Sequence, residues 1–126
     1  MPELLTAEQL SLAAKAITFA REVLLPLVES TTADEVASAR RQITRESKAA
    51  GLYTMTQGDA VGADNVTALD LTIVRDALAS MNAPFIGAVF GPGPGVLGSV
   101  AEPLKSSHLK PLLAGEIQGA FGFTEA

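Results

Sequence analysis

The sequence has no cysteine and no tryptophan, and it contains one histidine and one tyrosine. Without cysteine the chain has no disulfide framework, no thiolate nucleophile and no cysteine-ligated metal. A lone histidine excludes a site with several histidine ligands and argues against a nucleophilic triad. Aromatic residues make up only 5% of the chain although 48% is apolar, so we expect a core of Ala, Leu, Val and Ile.

Positive charge and long apolar runs are also scarce. Fourteen acidic residues against nine basic ones give a net charge of −5, which argues against a nucleic-acid-binding surface. No apolar run approaches the roughly 20 residues that span a bilayer, and the N-terminal residues lack the basic flank of a signal peptide. The 126 residues therefore predict one small, mainly helical domain in the cytoplasm, with no membrane span and no nucleic-acid partner.

The first predicted helix begins at Thr6. Thr6 and Gln9 form a capping box, in which a hydroxyl and a side chain three residues later satisfy free backbone amides. Apolar residues then recur at helical spacing. Pro26 is expected to end or kink this helix near Leu25, because proline has no amide hydrogen and clashes with the preceding turn.

A second capping box, Thr32 with Glu35, predicts a helix over about residues 34–50 that is closed by Gly51. Charged residues outnumber its thin apolar stripe. Two interpretations of the basic ones remain open: a solvated outer face, or a basic edge that contacts a partner or an anionic ligand. These basic residues are Arg40, Arg41, Arg45 and Lys48.

A third helix is predicted to begin near Thr67 and to end at Asn82-Ala83-Pro84. Its stripe has the cleanest helical spacing in the chain and consists of Leu71, Val74, Leu78 and Met81. Short helical pieces follow around residues 96–101 and 104–113, and residues 118–124 form the one good strand candidate.

No self-contained active site emerges from these residues. Residues 93–98 match the pattern GxGxxG, but Pro103 stops the following helix and leaves no room for a nucleotide-binding βαβ unit, so we predict a turn. His108 has no acid at helical spacing and is expected to be a surface or packing residue. No two acids have a spacing that indicates acid–base chemistry; those considered are Asp59, Asp64, Glu102, Glu116 and Glu125.

The last eighteen residues resemble a known family. They contain the run Pro111-Leu112-Leu113-Ala114-Gly115-Glu116-Ile117, then a small-aromatic segment and Thr124-Glu125. This order is similar to the junction between the N-terminal helical domain and the middle β-domain of acyl-CoA dehydrogenases. Residues 6–26 resemble the first helix of that family and residues 49–53 resemble the end of its second. Asn82-Ala83-Pro84 with the following Gly-Pro stretch resembles its large, divergent members.

This resemblance implies an all-α bundle over residues 1–117, with residues 118–126 starting a β-strand that leads into a middle domain. It also implies an FAD-dependent oxidation of an acyl-CoA at its α and β carbons. Thr124 would contact the flavin through its backbone and hydroxyl, and Phe123 through its backbone. The segment that contains Gly87, Val89 and Phe90 would border the acyl tail, with ordinary core packing as the alternative.

Departures from the family pattern lead to two functional hypotheses. Ala126 stands where the family has proline. The family's catalytic glutamate and most of its FAD contacts belong to domains that the 126 residues do not include. We therefore expect this chain alone to be inactive. The alternative is a non-enzymatic helical module that oligomerises or complements a partner subunit. The apolar segment from Ala120 to Phe123 motivates it, because an uncovered strand edge tends to associate. A homodimer or a larger oligomer is therefore expected.

Overall fold

Threonine side chains start the three long helices of the molecule. In each case the threonine hydroxyl accepts a hydrogen bond from the backbone amide three residues later, and the side chain at that later position accepts one from the threonine amide. The predicted capping boxes at Thr6 and Thr32 are confirmed, and Thr67 forms a third with Asp70. The computed structural model describes residues 4–63, 65–120 and 122, and its α-helices are α1 (Ala7–Phe19), α2 (Ala33–Ala49), α3 (Ala68–Ser80) and α4 (Lys110–Ala114).

The end of α1 follows the expectation from Pro26. The helix widens into a π-helical turn at Ala20–Leu24 and then tightens into a 3-10 turn at Leu25–Leu27. Proline cannot donate the next α-helical hydrogen bond, so the chain leaves the helix there. The predicted end near Leu25 is confirmed.

The core lies mainly between α1 and α3, which pack along each other. The Gln9 side chain lies close enough to the Asp70 carboxylate to help lower its pKa, so these two helices begin side by side. Ala16 and Ala20 are fully buried, and their small side chains allow a close approach of the neighbouring helices. The expected aliphatic core is confirmed, with Phe19 and Met55 added. The clustered core residues are Ala16, Phe19, Ala20, Leu24, Ile43, Leu52, Met55, Val74, Ala77, Leu78 and Val89.

Short helical turns carry the chain between and beyond the long helices. A π-helical turn at Lys105–Leu109 runs directly into α4, and Gly115 ends α4 in the left-handed conformation. The helical pieces predicted around residues 96–101 and 104–113 are therefore confirmed within a few residues. The 3-10 turns lie at Tyr53–Thr56, Gly58–Val61, Ile86–Ala88 and Gly95–Ser99.

The all-α class is confirmed, since no residue that the structure describes lies in a β-strand. In the predicted strand over residues 118–124, Gln118–Ala120 and Gly122 have no regular secondary structure and are exposed. Phe121, Phe123 and Thr124 lie outside the described residues. Of the helices in the described ranges, none has both the length and the apolar character needed to cross a membrane.

The capping carboxylates make the stability of the helix starts depend on pH. Hydrogen bonds from the Thr32 and Thr31 backbone lower the pKa of Glu35, and those from the Thr67 side chain and backbone lower the pKa of Asp70. A carboxyl whose pKa is lower in the folded state stabilises that state above its unfolded pKa, and this contribution disappears as the pH falls through the folded pKa.

We therefore expect the melting temperature to fall as the pH drops below about 4, near the ordinary pKa values of Glu and Asp. The double variant Glu35→Gln, Asp70→Asn keeps hydrogen-bonding side chains that do not titrate, so its melting temperature should depend less on pH. Thermal melting followed by circular dichroism across the acid range measures both. Glu102, whose pKa is also lowered, chiefly by the Ser106 side chain, leaves some dependence in the variant. Equal slopes for the two proteins would contradict this account.

Candidate functional site

The side chain of Gln57 is the main buried polar link between distant parts of the chain. It lies in the segment from Tyr53 to Gln57, hereafter the 53–57 turn, and only 2% of its surface is exposed. Its Nε2 atom donates to the carbonyl oxygens of Pro92 (3.0 Å) and Leu113 (2.8 Å). A buried amide is tolerated when its donors are bonded, and here both amide hydrogens have acceptors. The loop after Val89 and the end of α4 are thereby held on the same turn.

Two further hydrogen bonds hold Gly91 against the 53–57 turn. The Gly91 amide donates to the carbonyl of Tyr53 (2.8 Å), and the Thr56 hydroxyl donates to the carbonyl of Gly91 (2.7 Å). A Cβ at position 91 would lie 2.5 Å from Cε1 of Tyr53 and 2.6 Å from Nε2 of Gln57. Glycine is therefore required at position 91 for the two segments to approach this closely.

The Tyr53 ring is enclosed between Gly91 and the end of α4. Gly115 has a φ of +75°, and a Cβ there would collide with the Tyr53 hydroxyl. On the other side, Lys48 Nζ lies 5.1 Å from the centroid of the Tyr53 ring and donates to the carbonyl of Ala114 (2.6 Å). Burial raises the pKa of the Tyr53 phenol, so the hydroxyl stays protonated at neutral pH.

A cavity of about 420 Å³ opens beside Tyr53, between α2, the turn at Ile86–Ala88 and the segment that follows α4. Its volume falls within the usual range of small-molecule sites. Its lining comes from parts of the chain that are far apart in sequence, and these parts meet because the 53–57 turn holds them together. The lining residues are Arg40, Thr44, Tyr53, Gly87, Ala88, Phe90, Gly91, Pro92, Leu112, Gly115, Ile117, Gln118 and Gly119.

The residues that line the cavity include a polar and an apolar group, which we call the polar wall and the apolar wall. Arg40 and Thr44 of α2 form the polar wall with Tyr53, and the apolar wall includes Phe90 and Leu112. Arg40 is the only charged residue among the described residues of the lining, and neither a carboxylate nor a histidine accompanies it. The lining is therefore suited to binding an anionic or amphipathic molecule and contains no group for general acid–base chemistry.

The structure separates the three predicted substrate-site residues. Gly87 is exposed and Phe90 is half-buried, and both line the cavity. The guanidinium carbon of Arg75 in α3 lies over the Phe90 ring, 5.4 Å from its centroid, as in a cation–π contact. Val89 is fully buried in the core and does not line the cavity, so the core-packing alternative describes it. Phe123 and Thr124, the predicted flavin contacts, lie outside the described residues.

Other sequence motifs add no further site. Residues 93–98, which match GxGxxG, form a loop and a 3-10 turn, not the strand-to-helix junction of a nucleotide site. His108 is exposed, as expected for a surface residue, and its Nδ1 lies 2.8 Å from the Ser107 hydroxyl. The neighbouring carboxylate of Glu102 accepts from the Ser106 hydroxyl instead. In the described ranges no three acidic or histidine side chains are grouped as metal ligands.

Sequence reasoning missed Gln57 and Tyr53 and anticipated Arg40 only as part of a basic edge. A glutamine in a polar turn has no local signal of burial, because its partners lie 35 and 56 residues away. The chain's single tyrosine was the one available signal at position 53. Neither a protein-family model, nor a curated protein, nor a solved structure matches the chain.

Replacing Gln57 by leucine should destabilise the fold by about 1–3 kcal/mol, because the carbonyls of Pro92 and Leu113 lose their buried donor. Gln42→Leu on the exposed face of α2 is the matched control and should change stability by less than about 0.5 kcal/mol. Urea unfolding followed by far-ultraviolet circular dichroism measures both. Equal effects of the two substitutions would show that the Gln57 bridge does not stabilise the fold.

Proposed function

We propose that the chain is the N-terminal helical domain of an FAD-dependent, acyl-CoA dehydrogenase-like oxidoreductase of fatty acid metabolism, which desaturates an acyl-CoA between its α and β carbons. One observation carries this proposal. The segment with Gly87 and Phe90, which the resemblance assigns to the acyl tail, lines the same cavity as residues 117–119, where the expected flavin-contacting strand starts. The two segments are separated in sequence, and their meeting at one cavity supports a shared role.

The apolar wall is suited to a hydrocarbon chain. Gly87 has no side chain, and Phe90 and Leu112 present carbon atoms to the cavity. Each methylene group that such a wall removes from water contributes about 0.8 kcal/mol to binding. The chain would therefore help to bind and orient the acyl tail.

The described residues do not by themselves form a site for FAD. Their cavity offers one guanidinium, that of Arg40, and no loop of backbone amides at the start of a helix that would hold a pyrophosphate. FAD would supply the hydride acceptor in a complete enzyme. Under this proposal the 126-residue chain forms part of the acyl site, and flavin binding requires the expected strand with Phe123 and Thr124 together with further domains.

The chain alone is expected to be inactive, because no carboxylate among the described lining residues can remove the α proton. We expect no turnover when it is mixed with FAD, an electron acceptor, and short, medium or long acyl-CoAs. We also expect octanoyl-CoA to bind weakly, and Gly87→Leu to weaken this binding about tenfold by filling the cavity. Dye reduction measures turnover, and isothermal titration calorimetry measures binding.

Gly98→Leu is the control for Gly87→Leu, because Gly98 is exposed, does not line the cavity and makes only ordinary contacts with Pro94. At position 87 an added Cβ meets nothing within 4 Å, so the variant should fold normally. Turnover by the purified chain would refute its inactivity. Equal octanoyl-CoA binding by the two variants would refute the assignment of Gly87 to the acyl site.

A second candidate function is a helical interaction module that forms a homo-oligomer or complements a partner subunit. The observation that favours it is the exposure of leucines in the first turns of α1 and α3 and just before α1. Leu10 is 57% exposed and Leu69 is 44% exposed, and Leu4 and Leu5 precede α1 at the same end. Exposed apolar side chains that lie close together tend to be buried by association.

If this group forms an interface, the chain should sediment as a dimer or a larger oligomer, and the double variant Leu10→Glu, Leu69→Glu should be monomeric, since a buried charge opposes association. Val96→Glu is the control, because Val96 is 83% exposed in a different part of the chain. Sedimentation velocity over a range of concentrations measures the three proteins. A wild-type chain that stays monomeric at high concentration would rule out self-association through these leucines.

A further inference from the structure

The polar wall of the cavity is unused by the acyl-site proposal. Arg40 and Thr44 are four residues apart on α2, so their side chains lie on the same face of the helix. Thr44 Cγ2 lies 3.9 Å from the point that a Cβ of Gly115 would occupy, and the Tyr53 hydroxyl contacts the same point. Residues from α2 and the 53–57 turn therefore border the same side of the cavity.

Arg40 has no partner within the described ranges, and of the two unpartnered arginines of α2, Arg40 and Arg41, Arg40 is the one that lines the cavity. Arg45 pairs with Glu46 at 2.9 Å, and Lys48 donates to the carbonyl of Ala114. No carboxylate of the described residues lies within 4.0 Å of the Arg40 side chain, although acidic residues outnumber basic ones in the chain. The guanidinium can therefore accept an anion without first breaking an ion pair.

Tyr53 adds a hydrogen-bond donor to this wall. The residue is only 4% exposed, and its hydroxyl makes no hydrogen bond to the described part of the chain. The hydroxyl lies beside Gly115, which also lines the cavity. A nearly buried hydroxyl without a protein partner is stabilised when water or a ligand accepts its hydrogen.

We infer that the cavity binds a small organic carboxylate that carries one negative charge on an apolar body. The carboxylate pairs with Arg40 and accepts a hydrogen bond from Tyr53. The apolar body contacts Phe90, Leu112 and Ile117, which lie around the rest of the cavity. A single guanidinium with neutral donors compensates one negative charge, whereas the second charge of a phosphate dianion would stay unpaired. This inference goes beyond the flavoprotein proposal and does not depend on it.

Cyclohexanecarboxylate is a suitable probe, and cyclohexanecarboxamide is its uncharged analogue of the same shape. Because the chain has one tyrosine and no tryptophan, its intrinsic fluorescence reports on Tyr53 alone. In titrations of the full chain followed by this fluorescence and by calorimetry, the carboxylate should bind saturably. The amide should bind at least about tenfold more weakly, which is the usual effect of losing a charge-assisted hydrogen bond. Inorganic phosphate, which has no apolar body, should also bind more weakly than the carboxylate.

Arg40→Gln and Arg41→Gln form a matched pair, since both residues are exposed on α2, both changes remove one positive charge, and only Arg40 lines the cavity. Arg40→Gln should weaken carboxylate binding about tenfold, and Arg41→Gln should change it by less than about twofold. Tyr53→Phe, followed by calorimetry, should weaken carboxylate binding about threefold.

The inference is overturned if the wild-type chain does not bind the carboxylate saturably, if the amide binds equally well, or if the two arginine variants behave alike.

Discussion

Two hydrogen bonds from the side-chain amide of Gln57 constrain the second half of the molecule. They join the 53–57 turn to the loop at Pro92 and to the end of α4 at Leu113. A buried amide without acceptors would cost more free energy than a typical hydrogen bond contributes, so both carbonyls have to stay in place. The loop and the end of α4 therefore keep a defined separation, and the cavity lies beside them.

The packing around Tyr53 depends on this same arrangement. Gly91 and Gly115 border the ring, and a side chain at either position would collide with it. Lys48 covers the ring from a third direction while it caps the carbonyl of Ala114. The only tyrosine of the chain is thus enclosed by Gly91, Gly115 and Lys48.

The chemistry of the cavity favours binding over catalysis. One guanidinium, two hydroxyls and an apolar wall can orient an amphipathic molecule, whereas the described lining contains no group that would take a proton from it. The two proposals share the apolar wall, because an acyl tail and the apolar body of a carboxylate would both contact Phe90, and they differ at Arg40, which only the carboxylate uses. In both proposals the chain contributes recognition of the ligand.

The sequence by itself determined the ends of the helices. Capping at Thr6 and Thr32 and termination at Pro26 depend on residues at most four positions apart, so a local pattern is sufficient to predict them. The all-α class followed from these local signals, and the strand expected over residues 118–124 has no regular structure where it is described.

The tertiary structure alone decided that Val89 enters the core while Phe90 lines the cavity, because a short 3-10 turn has no long apolar periodicity to orient its side chains. It alone also decided the role of Gln57, whose partners lie 35 and 56 residues away and are brought within hydrogen-bonding distance only by the packed helices.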